Sequence, residues 1–239
     1  MKIERTRRGA RIVGADDVVL SEILAKPGAT DTLFDVLAAC VAALAHGTRC
    51  AILGFAGGGM IAPLRAMGFD APVTAVDLSR AGEPLFRELS DSWAGDVALE
   101  EDDAAVWLKR RRTRYDVIVD DLSVHVDGST IKPYVSLDPL PDLIRSRLHS
   151  KGIAIINVLP LPGTPWSQLL ARVAWPHERA TVIELVEYEN RIVIAGDALA
   201  TAAELSRRVR AALRAIGSNQ AGLLAFRTLP VQERGRPRR

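Results

Sequence analysis

The sequence predicts an α/β fold: a mostly parallel seven-stranded sheet with helices on both faces and a C-terminal antiparallel β-hairpin. Three observations carry this prediction. Short apolar runs alternate with helical patterns along most of the chain. A glycine-rich loop at 54–59 joins one apolar run to the next helix. The last two apolar runs, 181–188 and 191–196, are separated by so few residues that they must pair antiparallel.

The composition is that of one globular domain. The chain has 239 residues, of which 48% are hydrophobic and 25% charged, so a sizeable core can form. The formal net charge is only +2, and the basic residues gather at the two ends, which favours solvated tails over a nucleic-acid surface. No apolar run reaches the ~20 residues of a membrane span, and the two cysteines imply no disulfide framework. We therefore expect a cytoplasmic protein.

The pattern divides the chain into three parts. Residues 1–28 form a short N-terminal segment, 29–216 the main domain, and 217–239 a tail that is basic at its end. A helix is expected over 31–45, capped by Thr30 or Asp31 and stopped by Gly47. The later expected elements are strands at 50–53, 73–76, 97–99, 115–119 and 152–158, helices at 60–67, 79–93, 104–110, 137–148, 166–173 and 201–216, and loops at 122–133 and 159–165.

The stretch from Cys50 to Asp77 is the most informative motif. It runs from strand to glycine loop, helix, strand and acid, which is a βαβ unit suited to a nucleoside. Glycines let a ligand approach the backbone, and the acid can accept hydrogen bonds from ribose hydroxyls. The cofactor-binding residues predicted here are Gly54, Phe55, Ala56, Gly57, Gly58, Gly59, Asp77 and Leu78.

Acids also end the next two strands. Because ligands of open parallel sheets lie beyond the carboxyl ends of the strands, these acids are predicted to meet one site. Asp103 can accept from an adenine amine, with Asp102 and Ala104 beside it. Asp120 or Asp121 can orient or deprotonate a nucleophile, and alternation along the strand does not decide which of them faces the cleft. The histidines have no partners at metal-ligand spacing, so no metal is expected.

Three segments resemble the Rossmann-like S-adenosylmethionine-dependent methyltransferase superfamily, and within it the spermidine synthase-like branch. They are 52–59, Val76-Asp77, and 102–104 together with 115–121. The resemblance covers about residues 48–196. It implies that Asp77 binds ribose, Asp103 binds adenine and Asp121 assists an attacking amine. It also implies a homodimer. The resemblance departs at Gly57, where aminopropyltransferases have an acid.

These observations predict a transferase that uses S-adenosylmethionine or its decarboxylated form. The expected reaction is methyl transfer to a small-molecule acceptor. No membrane partner is expected, and a nucleic-acid methyltransferase is a weaker option because the basic residues are not organised into a patch with aromatic side chains. One alternative is an aminopropyltransferase of polyamine synthesis, which uses decarboxylated S-adenosylmethionine. Another is a catalytically inactive nucleoside-binding module. The sequence does not name the acceptor, since its pocket is built from loops.

Overall fold

The computed structural model describes residues 2–14, 17–126 and 128–231. They form a large mixed sheet between two helical layers, with a small sheet at the N-terminal end of the chain. The strands are β1 (Lys2–Arg5), β2 (Gly9–Val13), β3 (Val19–Leu24), β4 (Cys50–Leu53), β5 (Val73–Asp77), β6 (Val97–Glu101), β7 (Tyr115–Asp120), β8 (Val124–Val126), β9 (Ser129–Ile131), β10 (Leu148–Val158), β11 (Arg179–Leu185), β12 (Arg191–Gly196) and β13 (Leu224–Leu229). The helices are α1 (Leu33–Leu44), α2 (Ile61–Ala66), α3 (Glu83–Ser90), α4 (Ala104–Arg110), α5 (Leu140–Arg147), α6 (Trp166–Ala174) and α7 (Ala202–Ala215), with 3-10 turns at Tyr134–Ser136 and Asn219–Gly222.

The large sheet has the order β13-β11-β12-β10-β7-β4-β5-β6. Strands β6, β5, β4, β7 and β10 are parallel, whereas β12, β11 and β13 pair antiparallel. The chain builds outward from β4 to β6 and then returns to place β7 on the other side of β4. The direction of winding therefore reverses between β4 and β7, which is where such sheets bind ligands.

Each face of the sheet has its own apolar core. Helices α1, α2, α3 and α7 pack in one core, and α4, α5 and α6 pack in the other. The strands between these layers are almost continuously buried, as expected for a parallel sheet covered on both sides. The predicted fold class is confirmed in this arrangement.

The small N-terminal sheet covers the glycine loop. Strands β1, β2 and β3 form an antiparallel meander whose Ile12 and Ile23 join the core beside Phe55 and Phe86. The predicted short N-terminal segment thus takes part, through Ile12 and Ile23, in the packing around the loop.

Several local predictions need correction. Thr32, rather than Thr30 or Asp31, caps α1 by accepting from the Phe34 N–H. Part of the loop expected at 122–133 forms the hairpin β8–β9. The connection between β11 and β12 spans five residues, 186–190, rather than two.

The sheet has eight strands instead of the seven expected. The additional strand, β13, lies within the segment predicted as a tail and pairs with β11 from Ala180↔Leu229 to Leu185↔Leu224. None of the helices in the described ranges is long and apolar enough to cross a bilayer.

Candidate functional site

The ends of three adjacent strands bring the glycine loop, Asp77 and Asp121 together. The Gly54 N–H donates to the Val76 carbonyl at 2.8 Å, and the Asp121 N–H donates to the Leu53 carbonyl at 2.8 Å. A Cβ on Gly54 would lie 2.8 Å from the Asp121 carbonyl oxygen, and φ there is +89°. Gly54 is therefore required by the close approach of two strand ends at the switch point.

Asp77 organises the first turn of the loop. Its Oδ2 accepts from the N–H groups of Phe55 at 2.7 Å and Ala56 at 2.8 Å, and its Oδ1 accepts from the Ser79 N–H at 3.1 Å. Ala56 is held at φ +49°, which is uncommon for a residue with a side chain. The carboxylate keeps acceptor capacity on Oδ1, enough for one ribose hydroxyl. The predicted ribose contact thus fits a residue that also fixes the loop.

The second half of the loop packs against protein. A Cβ on Gly57 would lie 2.6 Å from Ile12 Cδ1, one on Gly58 would lie 2.5 Å from Phe55 Cζ, and one on Gly59 would lie 3.0 Å from Phe34 Cδ2. All three glycines are buried. Their lack of a side chain is explained by this packing, and the more open part of the loop is Gly54 and Ala56.

Asp103 begins α4 at the end of the neighbouring strand. Its Oδ1 accepts from the Val106 N–H at 2.9 Å as the N-cap. Within the described ranges Oδ2 accepts no hydrogen bond, so it is available to an amine. Asp102 instead pairs with Arg110 and accepts from the Asp103 N–H, and Ala104 is buried.

Two exposed apolar side chains lie near this end of the sheet. Leu78, which follows Asp77, is 70% exposed, and Val106 in the first turn of α4 is 48% exposed. Apolar side chains beside a carboxylate acceptor suit a flat heterocycle with an exocyclic amine, such as adenine.

The adjacent acids Asp120 and Asp121 lie in different environments. Asp120 is 1% exposed, and its Oδ1 accepts from Lys132 Nζ at 2.8 Å and from Ser136 Oγ at 3.2 Å. This carboxylate is satisfied inside the protein. The catalytic role predicted for Asp120 therefore does not fit its position, because a ligand cannot reach it.

Asp121 lies just beyond the end of β7, at the switch point of the sheet. It is partly exposed, and its Oδ1 accepts from Asn157 Nδ2 at 2.7 Å. Burial raises the pKa of Asp121 from its ordinary value to about 6, while the Asn157 hydrogen bond and the Lys132 charge oppose the rise. A carboxylate with this pKa is ionised at neutral pH and can accept a proton from a nucleophile.

Sequence reasoning missed the polar partners of the two acids. Lys132 lies in a segment expected to be a loop, and Asn157 is one polar residue within the apolar run of β10. A lone Asn in a buried strand must find hydrogen-bond partners, so Asn157 carried a signal. The sequence around Lys132 contains no comparable signal, because nothing near it predicts that the Lys132 side chain is buried.

Among the described residues, no group of three or more His, Cys, Asp or Glu side chains is placed to hold a metal ion. The two cysteines are buried, and burial raises the pKa of both thiols.

Comparison with solved structures identifies the architecture. No protein-family model matches the chain, and no curated protein matches it in sequence. Human methyltransferase-like protein 13 in complex with SAH is similar over 77% of this chain and 90% of its own, with a TM-score of 0.57 and 17% identity. A SAM-dependent methyltransferase from Agrobacterium tumefaciens is similar over 79% of this chain and 67% of its own, with a TM-score of 0.56 and 14% identity. A candidate methyltransferase from Streptococcus mutans in complex with SAH covers 68% of this chain and 96% of its own, with a TM-score of 0.50 and 16% identity. The chain therefore has the Rossmann-like fold of these methyltransferases.

Proposed function

We propose that this protein is an S-adenosylmethionine-dependent methyltransferase that acts on a small-molecule nucleophile. The observation that carries the proposal is the meeting of Gly54, Asp77 and Asp121 at the switch point of the sheet. The fold shared with SAM-dependent methyltransferases supports it.

The residues present fit the cofactor. Asp77 Oδ1 would accept from a ribose hydroxyl, and Asp103 Oδ2 would accept from the adenine amine, with Leu78 and Val106 beside the base. Bound S-adenosylmethionine supplies a methyl group that its sulfonium has already activated. The chain then has to align the acceptor with that methyl group, which is a large part of catalysis in a two-substrate reaction. Asp121 would orient the acceptor and take up its proton.

No specific observation favours either aminopropyl transfer or an inactive nucleoside-binding module. Aminopropyl transfer in the spermidine synthase-like branch would use an acid at position 57 by resemblance, yet a Cβ there would lie 2.6 Å from Ile12 Cδ1, so the buried Ile12 side chain would have to shift. An inactive nucleoside-binding module would have no need for a partly buried carboxylate such as Asp121 at the switch point of the sheet. Methyl transfer is thus the function that this geometry supports best.

Calorimetric titration tests the proposal. We expect S-adenosylmethionine to bind more tightly than its decarboxylated form or methylthioadenosine. Asp77→Ala and Asp103→Ala should each weaken binding, whereas Asp91→Ala, at an exposed position after α3, should leave it unchanged. Asp103→Ala separates ligand binding from loop folding, because Asp103 does not hold the glycine loop.

A preference for the decarboxylated ligand would favour aminopropyl transfer. Absence of binding by all three ligands would refute the nucleoside site itself.

A further inference from the structure

A cleft opens at the same edge of the sheet as Asp121. It has a volume of about 510 Å³ and lies between the start of α6 and the β11–β12 connection. Arg191, which begins β12, pairs with Val158 at the carboxyl end of β10. The cleft therefore lies beside the strand end that carries Asn157, on the side of β10 away from the glycine loop.

Two asparagines connect this cleft to Asp121. Asn157 Nδ2 donates to Asp121 Oδ1 at 2.7 Å, and Asn157 Oδ1 accepts from Asn190 Nδ2 at 2.9 Å. Asn190 lines the cleft, and Asn157 is only 4% exposed. A group bound next to Asn190 thus lies one buried side chain away from the carboxylate that we place at the reacting centre.

Arg191, a cation in the cleft lining, already has two partners. The Arg191 guanidinium lies over the Trp166 ring, 4.4 Å from its centroid, and 4.0 Å from a Glu184 carboxylate oxygen. Glu184 also pairs with Arg227 at 3.3 Å. An aromatic face and a carboxylate thus already hold one cation here, which shows what charge this environment favours.

Two side chains of the cleft offer hydrogen-bond acceptors. Glu189 is exposed and forms no ion pair with any residue in the described ranges. Asn190 uses its amide N–H toward Asn157, which leaves its Oδ1 for another donor. Tyr188 adds a half-buried ring to the wall. Hydrogen-bond acceptors beside aromatic side chains are complementary to a ligand that has N–H donors and an apolar body.

We propose that this cleft binds the methyl acceptor and that the acceptor is a small amine with an apolar or aromatic body. The proposal rests on the proposed function. The acceptor nitrogen, as an ammonium, would bind Glu189 and Asn190 Oδ1 on the side of the cleft that Asn157 connects to Asp121, and the same nitrogen is the one that reacts. That nitrogen loses a proton to the Asp121 carboxylate before it attacks. Its lone pair then forms the N–C bond, and the C–S bond breaks with its electron pair remaining on sulfur.

The test uses three probes of one shape and different charge: 2-phenylethylamine, 2-phenylethanol and 3-phenylpropionate. Each is titrated calorimetrically into the full-length protein, with and without saturating S-adenosylhomocysteine. We expect the amine to bind roughly tenfold more tightly than the alcohol, the size expected for one charge-assisted hydrogen bond. Glu189→Gln and Asn190→Ala should each remove most of this preference.

Glu178→Gln is the matched control. It removes the same charge from an exposed residue just before β11, at the end of that strand remote from the cleft. We expect it to leave both the preference and nucleoside binding unchanged. Equal binding of the amine and the alcohol, or tighter binding of the carboxylate, would overturn the proposal; the latter would make Arg191 the recognition group.

The two proposals fail in different ways. Nucleoside binding without amine preference would refute the acceptor site and leave the transferase standing. Amine preference that persists without nucleoside binding would support the cleft as an amine site and refute the methyltransferase.

Discussion

Lys132 and Asp120 form an ion pair from which solvent is excluded: Lys132 Nζ lies 2.8 Å from Asp120 Oδ1, and the two side chains are 0% and 1% exposed. The ammonium also donates to the Leu122 carbonyl at 3.1 Å, and Leu122 N–H donates back to Asp120 Oδ1 at 3.1 Å. The pair thus ties the segment after the β8–β9 hairpin to the end of β7. That fixes the backbone from which Asp121 projects.

Replacing Lys132 by methionine should destabilise the protein by about 3–5 kcal/mol, because it leaves the Asp120 carboxylate buried without a cation. Urea unfolding monitored by circular dichroism measures the change. The double variant with Asp120→Leu should recover much of the loss, since well-packed apolar residues often replace a buried pair at no cost. A loss in the single variant below about 1 kcal/mol, the size typical of exposed pairs, would contradict the buried ion pair.

Asp121 should set the pH dependence of methyl transfer. Only its ionised form can take up a proton, so kcat/KM should rise with pH through about 6 and level off above it. Asp121→Asn should lower kcat/KM by roughly 10²–10⁴-fold and abolish the inflection. Rates across pH 5–9 with wild type and variant provide the check; an inflection near pH 6 that survives in the variant would assign it to another group.

Asp121 should lower the free energy of unfolding of the protein at neutral pH. Its folded-state pKa of about 6 lies above the ordinary value of 3.8, so folding disfavours the ionised form. This loss of stability is absent below pH 3.8, grows as the pH rises from 3.8 to about 6, and is complete above about 6. Asp121→Asn should therefore stabilise the protein at pH 7.5 by up to about 2 kcal/mol and by much less at pH 4. Thermal unfolding at both pH values measures this, and an equal effect at both would contradict the assigned pKa.

Asn157 acts on Asp121 through its hydrogen bond, as a positioning residue. That bond favours the ionised carboxylate and opposes the effect of burial. Asn157→Leu removes this bond and should therefore move the inflection of the pH–rate profile to higher pH. Asn190→Ala, which leaves the Asp121–Asn157 bond in place, should move the inflection less. A profile unchanged in Asn157→Leu would show that Asn157 has only a packing role.

The sequence predicted the parts of this fold that depend on periodicity. Alternating strands and helices were found within a few residues of their expected bounds, and α4 matched the expected 104–110. Elements that depend on tertiary partners were missed. The β13 strand has an apolar alternation at Leu224 and Phe226, but the adjoining basic tail obscured it, and only its pairing with β11 makes it a strand.

The candidate site shows the same division. A glycine loop followed by an acid at a strand end predicts where a nucleoside would bind, because parallel strands align their carboxyl ends. Which of two adjacent acids faces the cleft depends on what lies behind them. Lys132 comes from a different segment and buries one of them, and no local pattern indicates this.

Gly57 offers a direct test of how the N-terminal sheet packs on the glycine loop. A Cβ there would lie 2.6 Å from Ile12 Cδ1 and 2.8 Å from Ile23 Cδ1, closer than real Cβ atoms approach other atoms. Gly57→Ala should therefore cost about 1–3 kcal/mol in unfolding free energy, as overpacked cores do. Gly222→Ala, where a Cβ would meet nothing within 4 Å, is the control and should cost far less.

Ile12→Val and Ile23→Val remove the two Cδ1 atoms concerned, so adding both to Gly57→Ala should restore part of the lost stability. Chemical denaturation of wild type, Gly57→Ala, the Ile12→Val/Ile23→Val variant and the variant with all three substitutions gives the coupling between the loop and the N-terminal sheet. Additive effects would show that the sheet does not press on the loop. Strong coupling would explain why the position holds glycine, since the carboxylate that resemblance to aminopropyltransferases implies would then have no room.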